Sequence, residues 1–242
     1  MLRAGITLNI KKCTFAQDQV KFVGHLIGSG LVKPDPDKLG CLLSIEAPTT
    51  KREVRRLIGF FSYFRSFIDH FAEKAKVITD LTRSNVANRV PWKQVHQDAL
   101  DLLKQELARN CIELHSVDFS KDFALLVDAS QHAVGCCLLQ PHGDQLYPIS
   151  FASSKLTDTQ SRWSTVEREA YAVIWALKKY RSWILFSKVT VFSDHNPLTY
   201  LTEAAPKSAK LTRWSLALQE YNLSFKYRPA GLHKAADYLS RI

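Results

Sequence analysis

The chain has 242 residues, 46% of them hydrophobic and 23% charged, and a formal net charge of +10. That length is enough to bury a real core in one large domain or two small ones. No apolar run reaches the length of a membrane span, and the opening MLRAGITLN is not a secretory signal, so no membrane partner is expected.

Core-like sequence follows Met1 at once, which points to a natural start further upstream. The basic excess is not a tail. Residues 1–118 carry 18 Lys and Arg against 13 Asp and Glu, and residues 119–242 carry 15 against 10. A basic folded surface on both parts suits a polyanion partner. The cysteines are Cys13, Cys41, Cys111, Cys136 and Cys137, odd in number and without a CxxC pair. They argue against a disulfide framework and a zinc site, and for an intracellular setting, cytoplasmic or nuclear.

Taken in order, residues 6–33 read as paired strands, with Gly24, Gly28 and Gly30 as punctuation. Pro34 to Lys38 then breaks the pattern, and Asp35 or Asp37 is placed to cap a following helix. Thr50 and Glu53 form a capping box that opens a long helix. Along it Val54, Leu57, Phe61, Phe64, Ile68 and Phe71 recur at helical spacing, with Phe60 and Phe67 widening the stripe. Lys51, Arg52, Arg55, Arg56 and Arg65 fall mostly off that stripe, either as a solvated face or as a face laid on a nucleic-acid backbone. A further amphipathic helix is predicted from about Trp92 to Arg109, with Ala99, Leu102, Leu103 and Leu107 inward. Nothing in the sequence marks a rigid interface between this region and the second half of the chain.

The texture changes after Asp118. Phe123 to Val127, Val134 to Gln140 and Leu146 to Ala152 read as three strands of an antiparallel meander, with a turn at Pro141 to Asp144. Ser164 to Tyr180 is a helix opened by a Ser164–Glu167 capping box. Lys188 to Ser193 is a strand, residues 207–220 are helical, Leu223 to Tyr227 is a strand, and His233 to Ile242 is a terminal helix. The order βββαβ followed by α, β, α predicts an α/β fold, a mixed five-stranded sheet with helices packed on it.

Four carboxylates stand at meaningful places in this plan. Asp128 and Asp194 end two strands, Asp237 lies in the terminal helix, and Glu169 shares a stripe with Ala172, Val173 and Ala176. If the two strands are neighbours, all four converge. Carboxylates at close quarters repel unless cations occupy the site. Hard oxygen ligands suit Mg²⁺ or Mn²⁺. Two such ions about 4 Å apart serve in-line phosphoryl displacement, which is nuclease chemistry. Glu167 is already committed as a cap and points roughly 200° away from Glu169 around the helix.

FALLVDAS, STVEREAYAVIWALKKYR, TVFSDHNPL and KYRPAGLHKAADYLSR resemble the RNase H domain of gypsy-type LTR retrotransposon reverse transcriptases. LNIKKCTF, FVGHLIGSG and PTTKREVRRLIGFFSYFRSFI look like the end of the palm and the thumb of the same polyprotein. The resemblance implies three parts: palm-end strands at 1–33, a helical thumb or connection at 34–118 and an RNase H domain at 119–242. It implies a ribonuclease that cuts the RNA strand of an RNA–DNA hybrid with two Mg²⁺ or Mn²⁺ ions on Asp128, Glu169, Asp194 and Asp237. Glu169, Ala172, Ala176 and Leu177 fit the family's E-x-x-A-x-x-x-A-L pattern, which selects Glu169 over Glu167.

The same resemblance implies a primer grip at Phe22 to His25, so that Gly24 and His25, with Arg52, Arg55 and Arg56, would contact nucleic acid. His195 and Asn196 would touch the hybrid backbone, and His233 is an accessory candidate in a short version of the family's His loop. The sequence holds no Tyr-x-Asp-Asp turn, so the chain alone is not expected to polymerise DNA; fingers and most of the palm belong upstream and are expected partners. Two alternatives stand beside this one. A non-catalytic nucleic-acid-binding relic would bind without cutting. An integrase-type transferase would place its glutamate last among the acids, whereas here it comes second.

Overall fold

The computed structural model describes residues 9–10, 13–109, 113–194 and 209–227. Three short strands come first: β1 (Gln19–Phe22), β2 (His25–Gly28) and β3 (Leu31–Pro34). Val23 and Gly24 both have positive φ, 44° and 70°, as a two-residue turn of the kind favoured in hairpins requires. The glycine accepts that conformation freely; the β-branched Val23 does not. α1 (Pro36–Leu43) comes next, and of the two capping candidates Asp35 is used, accepting from the Asp37 N–H at 3.1 Å.

α2 (Lys51–Tyr63) opens on the expected Thr50–Glu53 box. It is shorter than the sequence predicts. The chain passes through a 3₁₀ turn at Arg65–Phe67 and an extended Ile68, then turns left-handed at His70 before α3 (Phe71–Lys74) and α4 (Lys76–Asp80). No glycine or proline marks the break. It follows from packing: Phe64, Phe67, Ile68 and Phe71 are all buried in one core, including Phe67, which lies only at the margin of the straight stripe. Phe60, placed on that stripe by spacing, stays 37% exposed.

α5 (Gln94–Arg109) is the second correction. His96, Leu100, Leu103 and Leu107 face inward, and Leu102 is 41% exposed. The predicted Leu103 and Leu107 are buried and Ala99 packs against the same core, but Leu100 stands there in place of Leu102, because the neighbours of α5 are α1, α3 and α4 and they set which edge of its stripe is covered. β4 (Leu114–His115) then closes the first sheet, of order β1-β2-β3-β4, all antiparallel.

The second sheet has order β7-β6-β5-β8-β9. β5 (Phe123–Ala129), β6 (Ala133–His142) and β7 (Gln145–Lys155) are the expected antiparallel meander. β6 runs through Pro141, which the sequence pattern places in the turn; Pro141 lies past the last residue of β6 that pairs with β5, where its missing N–H is not needed. α6 (Thr165–Ile184) crosses over to β8 (Lys188–Ser193), parallel to β5, and α7 (Ala209–Leu218) leads to β9 (Asn222–Tyr227), parallel to β8. The fold is α/β with a mixed five-stranded sheet. The predicted terminal helix at His233 to Ile242 lies outside the described residues.

Alternation along β5 divides the sheet's two faces. Phe123, Leu125 and Val127 pack under α6 and α7 with Val173, Ala176 and Leu177. Ala124 and Leu126 point the other way, into one apolar cluster with Val54, Phe61, Phe67, Leu100 and Leu103 of the helical region. The two parts of the chain therefore share a core, an interface that the sequence does not announce.

Candidate active site

β5 and β8 are adjacent and parallel, with Leu126 opposite Phe192, so both run out at the same edge of the sheet. Asp128 sits near the end of β5, and Asp194 directly follows β8. Glu169 reaches this edge from the second turn of α6. One carboxylate oxygen from each of Asp128, Glu169 and Asp194 lies within 4.8 Å of the others. Ends of parallel strands beside a crossover helix are where α/β sheets commonly gather functional groups.

The capping box at Ser164 sets the rotation of α6. Ser164 Oγ accepts from the Glu167 N–H at 3.3 Å, and Glu167 Oε2 accepts from the Ser164 N–H at 3.1 Å. The other oxygen of Glu167 accepts from Lys210 Nζ of α7 at 3.1 Å, and that ammonium also stands over the Trp163 ring. Glu167 is thus occupied in joining α6 to α7. Glu169 is 4% exposed. Its Oε2 is buried and finds no hydrogen-bond partner among the described residues. Burial first, and then the charges of Asp128 and Asp194, raise its pKa to about 8 against the partial relief of the Ala129 N–H.

A buried carboxylate with one oxygen lacking a donor among the described residues, grouped with two further carboxylates, is unstable as an ionised group and well made for a hard cation. The donor set is all oxygen, as Mg²⁺ and Mn²⁺ prefer. These three residues fit a divalent ion. Asp237, expected beside them, lies outside the described residues, as do His195, Asn196 and His233.

The other expected binding residues gather elsewhere. Gly24 lines a cavity of about 560 Å³ with Val23, Lys38, Arg56, Phe60 and Tyr63, between the β1–β2 hairpin and α2. Arg52, Arg55 and Arg56 are exposed on α2 and form no ion pair among the described residues. His25 faces inward to the helical region: its Nδ1 lies 3.0 Å from the Val23 carbonyl oxygen and 3.1 Å from Tyr63 Oη, and its ring stacks on Phe67.

One residue at the acidic site is not foreshadowed by the sequence. His70 Nε2 lies 3.1 Å from Asp128 Oδ2, and its Nδ1 lies 2.8 Å from Asp69 Oδ1. The two carboxylates, Asp128 foremost, raise its pKa to about 10. Its partner is 58 positions away in the chain. The only local signal is an Asp-His pair in the middle of an aromatic run.

Comparison with known proteins agrees with this geometry. Residues 118–221 match the family model described as an RNase H-like domain found in reverse transcriptase. The chain is 36% identical over 237 residues to the retrovirus-related Pol polyprotein from transposon 412 of Drosophila melanogaster, a match covering 98% of this chain and 19% of that protein. The Tf2-3 transposon polyprotein of Schizosaccharomyces pombe is 32% identical over 244 residues, covering 99% and 18%. The chain thus spans about a fifth of the length of the curated relatives it matches. Among solved structures, the foamy viral protease-reverse transcriptase dRH in complex with ds DNA superposes with a TM-score of 0.80 at 22% identity, covering 94% of this chain and 40% of that one. The foamy viral protease-reverse transcriptase in complex with RNA/DNA hybrid gives 0.75 at 22% identity, covering 91% and 30%. At that identity the likeness is one of fold.

Proposed function

We propose, for a chain that belongs to the retrotransposon Pol polyproteins and carries their RNase H-like domain at residues 118–221, that it hydrolyses the RNA strand of an RNA–DNA hybrid. The observation that carries this reading is the buried Glu169 carboxylate, one oxygen of which lies within 4.8 Å of Asp128 and Asp194 oxygens and whose Oε2 finds no hydrogen-bond partner among the described residues. Asp128, Glu169 and Asp194 hold two Mg²⁺ or Mn²⁺ ions, with Asp237 as the fourth ligand. Bound there, the ions supply a nucleophilic water and a counter-charge for the departing 3′ oxygen. Glu169, buried and beside two further carboxylates, would be held ionised by such an ion. The products carry a 3′-hydroxyl and a 5′-phosphate.

The hybrid is held by the exposed Arg52, Arg55 and Arg56 of α2 and by the hairpin edge at Gly24, which His25, turned inward onto Tyr63 and Phe67, supports from behind. Such contacts bind the backbone without reading sequence. The fingers and palm of a polyprotein are the partners that position the substrate, inside a cytoplasmic retroelement particle or in the nucleus. Polymerisation is not assigned to this chain.

The test is cleavage of an end-labelled hybrid with Mg²⁺ or Mn²⁺, with chelator, and with Asp194→Asn. Cutting confined to the RNA strand, and lost in chelator and in the variant, is the expected result. Hybrid binding without metal-dependent cutting, also when the upstream part of a Pol protein is added in trans, would identify a binding relic instead.

A further inference from the structure

One row of residues crosses three strands of the five-stranded sheet in register. Asp128 of β5 faces Gly135 of β6, and Gly135 faces Ser153 of β7. Directly opposed residues share a face of an antiparallel pair. This is the face of Leu126, Cys137 and Phe151, on which the helical region packs. The segment from Arg65 to Ala72 lies over the row. The Ala72 N–H donates to Ser153 Oγ at 2.8 Å, and the Arg65 guanidinium donates to the Ser153 carbonyl oxygen. Between these two anchors, His70 passes over Gly135 to Asp128.

Two local features make that reach possible. His70 has φ 50°, a left-handed conformation that a residue with a Cβ adopts only when its surroundings impose it. Gly135 leaves space for the ring: a Cβ there would stand 3.0 Å from His70 Cδ2 and 3.2 Å from Nε2. Asp69 fixes the far side of the imidazole through Nδ1. An ionised carboxylate only accepts, so Nε2 donates to Asp128 Oδ2 and holds that oxygen in one direction.

We propose that His70 is a positioning residue for Asp128, supplied to the metal site by the helical segment that precedes the RNase H-like domain. The inference rests on the nuclease reading above and adds to it that the site is completed from outside residues 118–221. Groups that orient a metal ligand commonly change affinity for the ion by 10- to 100-fold when removed.

The full chain is titrated with Mn²⁺ at fixed pH, without nucleic acid, and the free ion is counted by electron paramagnetic resonance. His70→Gly removes the ring while relieving the left-handed backbone; Gly135→Ala keeps the ring but crowds it away from Asp128. Both are expected to bind Mn²⁺ about tenfold more weakly than the parent. Their melting temperatures in chelator should fall, because the His70–Asp128 contact is lost, and they are measured beside the titration so that Mn²⁺ binding is compared between folded chains. Unchanged or tighter Mn²⁺ binding by His70→Gly overturns the proposal, the tighter case marking His70 as a competitor of the ion. A parent chain that binds Mn²⁺ and cuts hybrid, matched in both by His70→Gly, removes only the role of His70. A parent chain that does neither removes the nuclease reading and this inference with it.

Discussion

Lys155 of β7 forms an ion pair with Asp80 of α4, across the junction between the sheet and the helical region. It stands beside the Ser153 contacts with Arg65 and Ala72, and beneath these polar links lies the shared core of Ala124, Leu126, Cys137, Leu139 and Phe151 with the helical region. Exposing such a face forfeits about 25 cal/mol for each Å² of apolar surface. A fragment beginning at residue 118 is therefore expected to be less stable than the whole chain and to bind a hydrophobic dye, whereas the whole chain should melt in one transition. Equal melting temperatures for fragment and whole chain would show that the shared core contributes nothing.

Glu169 makes stability in chelator depend on pH. Its pKa is raised from 4.5 to about 8 in the fold. Between those values the folded chain holds a proton that the unfolded chain has released, so stability falls as pH climbs through the window. His70 acts in the same direction at higher pH: its raised pKa gives stability that is fully present below the unfolded value of 6.5 and is lost as pH rises through about 10. Glu169→Gln isolates the first effect. Its melting temperature should fall less than the parent's between pH 5 and pH 8, by several degrees if about 1–2 kcal/mol is involved. Mn²⁺ should raise the parent's melting temperature at pH 8, little at pH 5, and much less in the variant at either. Glu167→Gln, which disturbs a cap and the pair with Lys210, should keep the full Mn²⁺ effect. Calorimetry at the two pH values distinguishes these outcomes.

Much of this is legible in the sequence, and the exceptions share a cause. The strands of the five-stranded sheet, both capping boxes and the difference between Glu167 and Glu169 follow from local rules of period and hydrogen bonding. The end of α2 does not, because Phe64, Phe67, Ile68 and Phe71 keep a helical spacing while the core that receives them bends the chain. Which edge of the α5 stripe is covered depends on which helices surround it. His70 is the clearest case: its partner Asp128 and the gap at Gly135 belong to strands far along the chain, and only the fold brings the three together.

The exchange of Leu102 for Leu100 on the buried face of α5 can be tested directly. Leu100 is fully buried and Leu102 is largely exposed. Leu100→Ala should cost about 2–5 kcal/mol through the loss of burial and the cavity left behind. Leu102→Ala should change stability by less than about 0.5 kcal/mol, as exposed positions commonly do. Urea unfolding of the two variants measures both. Equal losses would restore the face predicted from spacing alone.

The basic face of α2 separates binding from chemistry. Arg55 and Arg56 are exposed, flank the buried Val54 and Leu57, and meet no acidic side chain among the described residues, so their charge is available to a polyanion. Arg56 also borders the cavity shared with Gly24 of the hairpin, which brings the two expected contact regions to one place. Reversing both to Glu should weaken hybrid binding at low salt by about tenfold or more, for every hybrid sequence alike, because phosphate contacts carry no base information. The slope of log affinity against log salt should flatten by about 0.9 for each phosphate that the chain no longer neutralises. Cleavage at saturating hybrid should persist, since neither arginine belongs to the acidic site. Filter binding across a salt series, paired with single-turnover cleavage, measures the two quantities separately. Unchanged affinity and slope would mean that water, and no nucleic acid, covers this face.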